Sequence, residues 1–303
     1  MSDINIVEES KEHSHCHHYH ISEKTVLYLS ISFVVNLVLS LIEIIAGIIS
    51  GSVALIGDAL HNTSDAFSIL IAVIAFKIGQ KKANKKYTYG FKRAEIIGGF
   101  VNLILLFIAG LYLSVEGVER LINPEQINGK LIIIVSIIAL MIDIITVKLS
   151  HHGSKHNLNM RMVFWHNLAD VFGSVGVIIS GVFVVLFQIN YIDGLVALVI
   201  SAYMIYHAYK DFPRIVDILM NAVPSHLDME KVRKSLLSLS DVQDVHHLHI
   251  WRINEEDVSL ECHIVSENPC ITEQITLLLH HSFHIRHCTI QVESKCCEKQ
   301  CSL

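Results

Sequence analysis

"HNTSD" at residues 61–65 and "HNLAD" at 166–170 repeat one pattern, an imidazole followed four residues later by a carboxylate, inside segments that are otherwise almost wholly apolar. On a helix, residues four apart stack on one face, so His61 converges with Asp65 and His166 with Asp170. Each segment then presents one imidazole nitrogen and one carboxylate oxygen. Two such helices side by side offer four ligands of the type and number that tetrahedral zinc takes. The bland alternative is a pair of polar helix-packing contacts satisfied by each other. An ionisable group at bilayer depth costs at least about 2.5 kcal/mol, so two matching pairs are expected to face one another or a wet cavity rather than lipid. Asp58 extends the first set, because 58, 61 and 65 follow i, i+3, i+7 and form one polar stripe. The shared Asn62 and Asn167 point about 100° away from the ligands they follow. Gly51 and Gly57 near the first pair, and Gly173, Gly176 and Gly181 after the second, allow neighbouring helices to approach.

The elements that carry these residues are read from composition. Of 303 residues, 52% are hydrophobic and only 17% charged, and the mean hydropathy is +0.48. That is too apolar for a soluble chain of this length and indicates a membrane protein. The net charge of −6 and the scattered short clusters of Lys and Arg speak against nucleic acid as a partner. A bilayer core needs about 20 apolar residues per helix, and six windows qualify, at about 26–49, 53–78, 94–115, 130–149, 163–187 and 191–209. The link between the second and third contains Lys77, Lys81, Lys82, Lys85, Lys86, Lys92 and Arg93, whereas the next link is Glu-rich. By the positive-inside rule the first link is cytoplasmic, and the alternation places both termini in the cytosol. No cleavable signal is expected in the polar first 24 residues. The seven cysteines, Cys16 and six from Cys262 onward, then read as cytosolic thiols or metal ligands rather than disulfides.

From about residue 213 the composition becomes that of a small soluble domain, with Pro213 and Pro224 bracketing the junction. "DMEKVRKSLLSL" and "ITEQITLLLHHSFH" have helical spacing, while "VQDVHHLHIWRI", "DVSLECHIV" and "HCTIQVES" read as strands. The expected fold is a six-helix membrane domain over 25–212 followed by an αββαβ module over 213–294. A His-rich tail over 1–24 and a Cys-containing tail over 295–303 complete the chain.

The segments "SGSVALIGDALHNTSDAFS", "YTYGFKRAEIIGGFVN" and "LNMRMVFWHNLADVFGSVGVIISG" resemble the second-, third- and fifth-helix motifs of the cation diffusion facilitators. "ILMNAVP", "VHHLHIW" and "HCTIQVES" are similar to that family's cytoplasmic domain. The family comprises zinc exporters, including bacterial zinc and cadmium resistance transporters, and the likeness runs from about residue 25 to 294. It implies a transported-metal site on His61, Asp65, His166 and Asp170, the quartet already reached from spacing. It also implies a homodimer, alternating access and exchange of Zn2+ for protons, with His at position 61 favouring zinc over cadmium. In the cytoplasmic domain it places metal ligands at His246, His263 and Glu293, with His280 or His281 as a further contributor; a solvated sheet face is the alternative. His247 and His249 receive no role.

Several features depart from relatives. The tail residues His13, His15, Cys16, His17, His18 and His20 could capture zinc or form a disordered, weakly chelating segment. Cys296, Cys297 and Cys301 do not reproduce the Cys-x-x-Cys that partners such a tail in some relatives. The Lys-rich link lacks the His/Asp cluster of others, and His151, His152 and His156 form either a delivery loop or a polar connector. Asp143 stands where many relatives have Asn. Two roles are open to it: a proton carrier, or a shared-proton contact with Glu43. No nucleotide-binding Gly-rich loop, pump phosphorylation motif or nucleophile with a base at suitable spacing is present. The expectation is a zinc exporter in a bacterial inner membrane, not an enzyme. Its rivals are a broader cobalt, cadmium or nickel exporter and a membrane zinc sensor that moves nothing.

Overall fold

A computed structural model describes residues 23–154, 158–255 and 257–294. The tail histidines, Cys16, Cys296, Cys297, Cys301 and His156 lie outside the described residues, as do the side chains of His151 and His152. Six long helices come first: α1 (Glu23–Ser50), α2 (Val53–Gly79), α3 (Ala94–Ile122), α4 (Gly129–Ser154), α5 (Leu158–Phe187) and α6 (Tyr191–Leu219). Each is long and apolar enough to cross a membrane. In hydrocarbon every backbone amide must find its partner within the segment, which only a continuous helix or a closed barrel achieves. Large apolar side chains such as Ile49, Val115, Leu186 and Val199 point outward, where lipid rather than water would meet them.

The helices overrun the apolar windows. Helix α3 continues seven residues beyond the expected end at 115, through Arg120, which pairs with Glu116 at 3.4 Å and with Glu125. Pro213 does not end α6; it lies inside the helix, which runs to Leu219. Window counting sees only the apolar stretch, whereas a helix persists past the lipid as long as side chains and water satisfy its last carbonyls.

Helix α4 packs along α5 and α3 along α6. Both pairings are close at glycines: a Cβ on Gly129 would stand 2.7 Å from the Gly181 carbonyl oxygen, and one on Gly194 2.8 Å from that of Gly117. Small residues at such crossings let backbones approach and gain dispersion contact where no hydrophobic drive operates. Between α1 and α2 the chain reverses over two residues, and Gly51 takes the positive φ of 75° that this requires.

The C-terminal module is α7 (Met229–Leu237), β1 (Asp244–Arg252), β2 (Val258–Val265), α8 (Ile271–Phe283) and β3 (His287–Glu293), the expected αββαβ order. The sheet order is β1-β2-β3, with β1 and β2 antiparallel and β2 and β3 parallel. The core is built by Val232 and Leu236 of α7, Ile250, Leu260 and Ile264 of the sheet, and Ile271, Ile275 and Leu279 of α8. Asp228 caps α7, accepting from the amides of Glu230 and Lys231. Two ion pairs tie this module to the membrane domain, Lys92 to Asp257 at 2.8 Å and Arg214 to Glu255 at 3.0 Å, while Arg93 donates to Asn221, just past α6, at 2.5 Å. The Lys-rich link between α2 and α3 therefore lies against the C-terminal module.

Candidate metal centre

The position of α2 is set at its first turn. A helix begins with amides that have no intrahelical partner, and here they are satisfied from two directions. The Ser52 hydroxyl accepts from the Leu55 amide at 3.1 Å, while the Asp193 carboxylate of α6 accepts from the amides of Val53 at 2.7 Å and Ala54 at 3.2 Å. Ser52 donates its own proton to Asp193 at 2.5 Å, and Ser180 of α5 approaches the same oxygen at 3.3 Å. Asp193 is fully buried. A carboxylate at a helix N-terminus meets both unpaired amides and the positive end of the helix dipole. Helices α2 and α6 are thereby joined two turns above His61.

Further along α2, His61 and Asp65 face His166 and Asp170 of α5. The His61 Nε2 lies 3.2 Å from Asp170 Oδ1 and 3.5 Å from Asp65 Oδ2; the His166 Nε2 lies 3.2 Å from Asp65 Oδ2 and 4.0 Å from Asp170 Oδ2. Imidazoles and carboxylates thus alternate around a ring. A tetrahedral zinc with bonds of about 2.0–2.1 Å separates its ligand atoms by about 3.3 Å, and the four edges of the ring bracket that value. Ligand atoms of His61, Asp65 and Asp170 all lie within 4.8 Å of one another, whereas His166 stands outside that group. The edges to Asp170 use both its oxygens, so a tetrahedron with one atom from each residue calls for side-chain adjustment within the ring. His61 is buried, while Asp65 and His166 keep 28% and 34% of their side-chain surface.

A cavity of about 300 Å³ adjoins the ring, walled by His61, Asp170 and Gly176 and by Val196, Ile200 and Tyr203 of α6. The Tyr203 ring meets His61 edge-on at 5.5 Å between centroids. Asp58, one helical turn from His61, continues the stripe into the wall of this cavity and is approached at 3.3 Å by Ser174, which donates to Asp143 at 2.7 Å. A Cβ on Gly173 would come within 3.1 Å of Asp58, so glycine makes the room. The contact expected of Asp143 with Glu43 is replaced by separate partners, since the Asn62 amide donates to Glu43 at 3.2 Å. Neither the Asn62 link nor the Asp193 cap was signalled by local spacing; their partners lie far along the chain.

In the C-terminal module, His246 and His263 are directly opposite across β1 and β2, and Glu293 ends β3. Glu293 Oε1 is 3.0 Å from His263 Nδ1 and Oε2 is 3.5 Å from His246 Nε2. All three side chains keep a fifth or less of their surface. A bulge between His246 and His249, with His247 at φ 50°, interrupts the strand's alternation. It brings the His247 ring within 4.8 Å of His263 and 4.5 Å of His249. His280 and His281 are exposed on α8 and do not join the three-residue group. Burial pushes the Cys262 thiol up to about 12, reinforced by Cys288 and Glu261, and raises Cys288 as well. At neutral pH both stay protonated, and a thiol that keeps its proton is a poor metal ligand.

Residues 29–220 match the cation efflux transmembrane domain and 224–295 the cation efflux protein cytoplasmic domain. The chain belongs to the cation diffusion facilitator family. This facilitator is an integral membrane cation transporter and not an enzyme. It is 32% identical over 290 residues to a "Cadmium, cobalt and zinc/H(+)-K(+) antiporter" of Bacillus subtilis, spanning 93% of this chain and 92% of the relative. It is 29% identical over 296 residues to a "Zinc transporter ZitB" of Pectobacterium atrosepticum, spanning 96% and 92%. A solved structure, the "Metal-bound C-terminal domain of the CzcD transporter from Cuprividus metallidurans", is 30% identical and covers 22% of the facilitator and 99% of that chain, with a TM-score of 0.21.

Proposed function

We propose that this facilitator exports zinc from the cytosol in exchange for protons, using His61, Asp65, His166 and Asp170 as one tetrahedral transport site. The observation that carries the reading is the alternating ring of two imidazoles and two carboxylates, at 3.2–4.0 Å, drawn from two membrane helices. Neutral imidazole and ionised carboxylate bind a divalent cation, so loading metal displaces protons, and the same groups take protons back once the ion has left. Alternating access then needs the ring to face each side in turn. His246, His263 and Glu293 form a second, regulatory zinc site. Two copies pair as a homodimer, and the match of residues 224–295 to a cytoplasmic domain found in dimerising relatives supports this. The Lys-rich link beside the C-terminal module supports a cytosolic location for both by the positive-inside rule, with the helices in a bacterial inner membrane.

A broader range of ions is favoured by one specific observation, the cadmium and cobalt in the name of the Bacillus relative. Reconstitution in liposomes with an imposed pH gradient, with zinc, cadmium, cobalt and nickel supplied in turn, separates the two. Zinc flux that collapses the gradient without ATP supports the proposal, and more than about a thousandfold loss is expected for Asp170→Ala. Normal zinc flux by a correctly inserted Asp170→Ala protein overturns the transport site.

A further inference from the structure

A third His-x-x-x-Asp stands in the membrane domain, "HAYKD" at residues 207–211 of α6. The spacing is that of the two half-sites in the quartet, but the imidazole presents its other nitrogen to the carboxylate. His207 Nδ1 lies 3.2 Å from Asp211 Oδ2, against 3.5 Å between His61 and Asp65. The pair also lies on the relevant face of its helix. Val196, Ile200 and Tyr203 line the cavity beside the quartet, and 200, 203, 207 and 211 follow one helical stripe. That stripe is apolar beside the cavity and becomes imidazole and carboxylate toward the C-terminal module. Tyr206 and Tyr209, on other faces of α6, are exposed to the surroundings.

Ring contacts connect the stripe to the quartet. Tyr203 touches both His61 and His207, with centroids at 5.5 and 6.0 Å, and the His207 ring stands 6.4 Å from that of His166. Asp211, His207, His166 and Asp65 therefore form a continuous series of metal-ligating groups. Their side-chain accessibilities fall along it from 49% and 42% to 34% and 28%. At about 1.5 Å per residue, His207 lies some 6 Å nearer the C-terminal module than Tyr203.

Resting on the transport-site reading above, we infer that His207 and Asp211 form a separate, transient binding station for the divalent cation, which receives it on the C-terminal-module side and passes it to His166. His207 turns Nδ1 to the carboxylate, which leaves Nε2 for the ion. Nε2 supplies one ligand, the Asp211 carboxylate orients the ring through Nδ1 and makes it more basic, and water completes the set. Such a site is weak by construction, as a station that must release its ion has to be. An exposed i, i+4 pair contributes little to a helix, so a purely structural role leaves transport kinetics unchanged.

The test supplies Zn2+ on the C-terminal-module side of the full-length protein in liposomes and measures initial rate against zinc concentration. His207→Gln and Asp211→Asn are each expected to raise the half-saturating zinc concentration about fivefold and to leave the maximal rate within about twofold, the signature of lost binding ahead of the committed step. His207→Cys, which restores a metal-binding atom, is expected to recover most of the shift. Saturation curves for both variants that superimpose on wild type overturn the inference, as does a lower maximal rate at unchanged half-saturation. Asp170→Ala, run alongside, separates the two claims. If it is inactive while His207→Gln matches wild type, only the station fails; if it transports normally, the quartet fails.

Discussion

The membrane quartet and the triad of the C-terminal module use the same chemistry on different supports. In the quartet, two helices each contribute an imidazole and a carboxylate one turn apart, and α2 and α5 touch over only a few residues. In the triad, His246 and His263 face each other across hydrogen-bonded strands, and Glu293 comes from the strand on the other side of β2. Nothing can separate the histidines of the triad without breaking the β1–β2 ladder. The quartet can open by moving one helix against another, with every backbone hydrogen bond intact. A site that must release its ion is suited to the first kind of support, and a site that keeps its ion to the second.

Removing a ligand from each tests this contrast most strongly. Asp170→Ala is expected to abolish flux, while His263→Ala removes zinc from the C-terminal module and lowers flux by no more than about threefold, an effect of roughly 0.7 kcal/mol. Zinc stoichiometry by elemental analysis, measured with the fluxes, checks both. An equal loss of flux in the two variants would erase the distinction.

The next largest effect is expected at Asp193. Asp193→Ala leaves the Val53 and Ala54 amides without acceptors in a buried site, at about 1–3 kcal/mol for each unsatisfied group. Thermal unfolding in detergent should show a destabilised membrane domain, with the transition of the C-terminal module unmoved. The smallest effect belongs to Lys92→Ala. It removes a surface ion pair between the two regions and should change stability by less than about 1 kcal/mol, with flux near wild type.

Each half of the quartet was legible because helical periodicity alone brings His61 to Asp65 and His166 to Asp170; the meeting of the halves is a long-range contact between α2 and α5. The six helices were legible for a similar reason, since apolar length is a local property. What escaped was set by distant partners. Asp193 reads as one acidic residue at the start of an apolar run, and only the fold brings it to the first turn of α2. Asp58 reads as part of the quartet's stripe and does line its cavity, but its contact with Ser174, which also bonds Asp143, comes from a distant part of the chain. The bulge at His247 places a non-glycine residue at positive φ, which strand patterning does not anticipate. Its effect is to gather four histidine rings where simple alternation would have divided them between two faces.

The close glycine crossings have one more consequence. His166 and Asp170 belong to a hairpin in which α4 and α5 are locked together at Gly129 and Gly181, whereas His61 and Asp65 belong to a helix whose first turn is fastened to α6, itself locked to α3 at Gly117 and Gly194. The two halves of the quartet therefore ride on two braced helix pairs that meet at Asp193, where Ser180 of α5 also bonds, like the jaws of a calliper about its pivot. An ion held between them fixes the gap by its own bond lengths. A larger ion sets the jaws wider, and ionic size is thereby translated into the angle between two rigid parts of the protein.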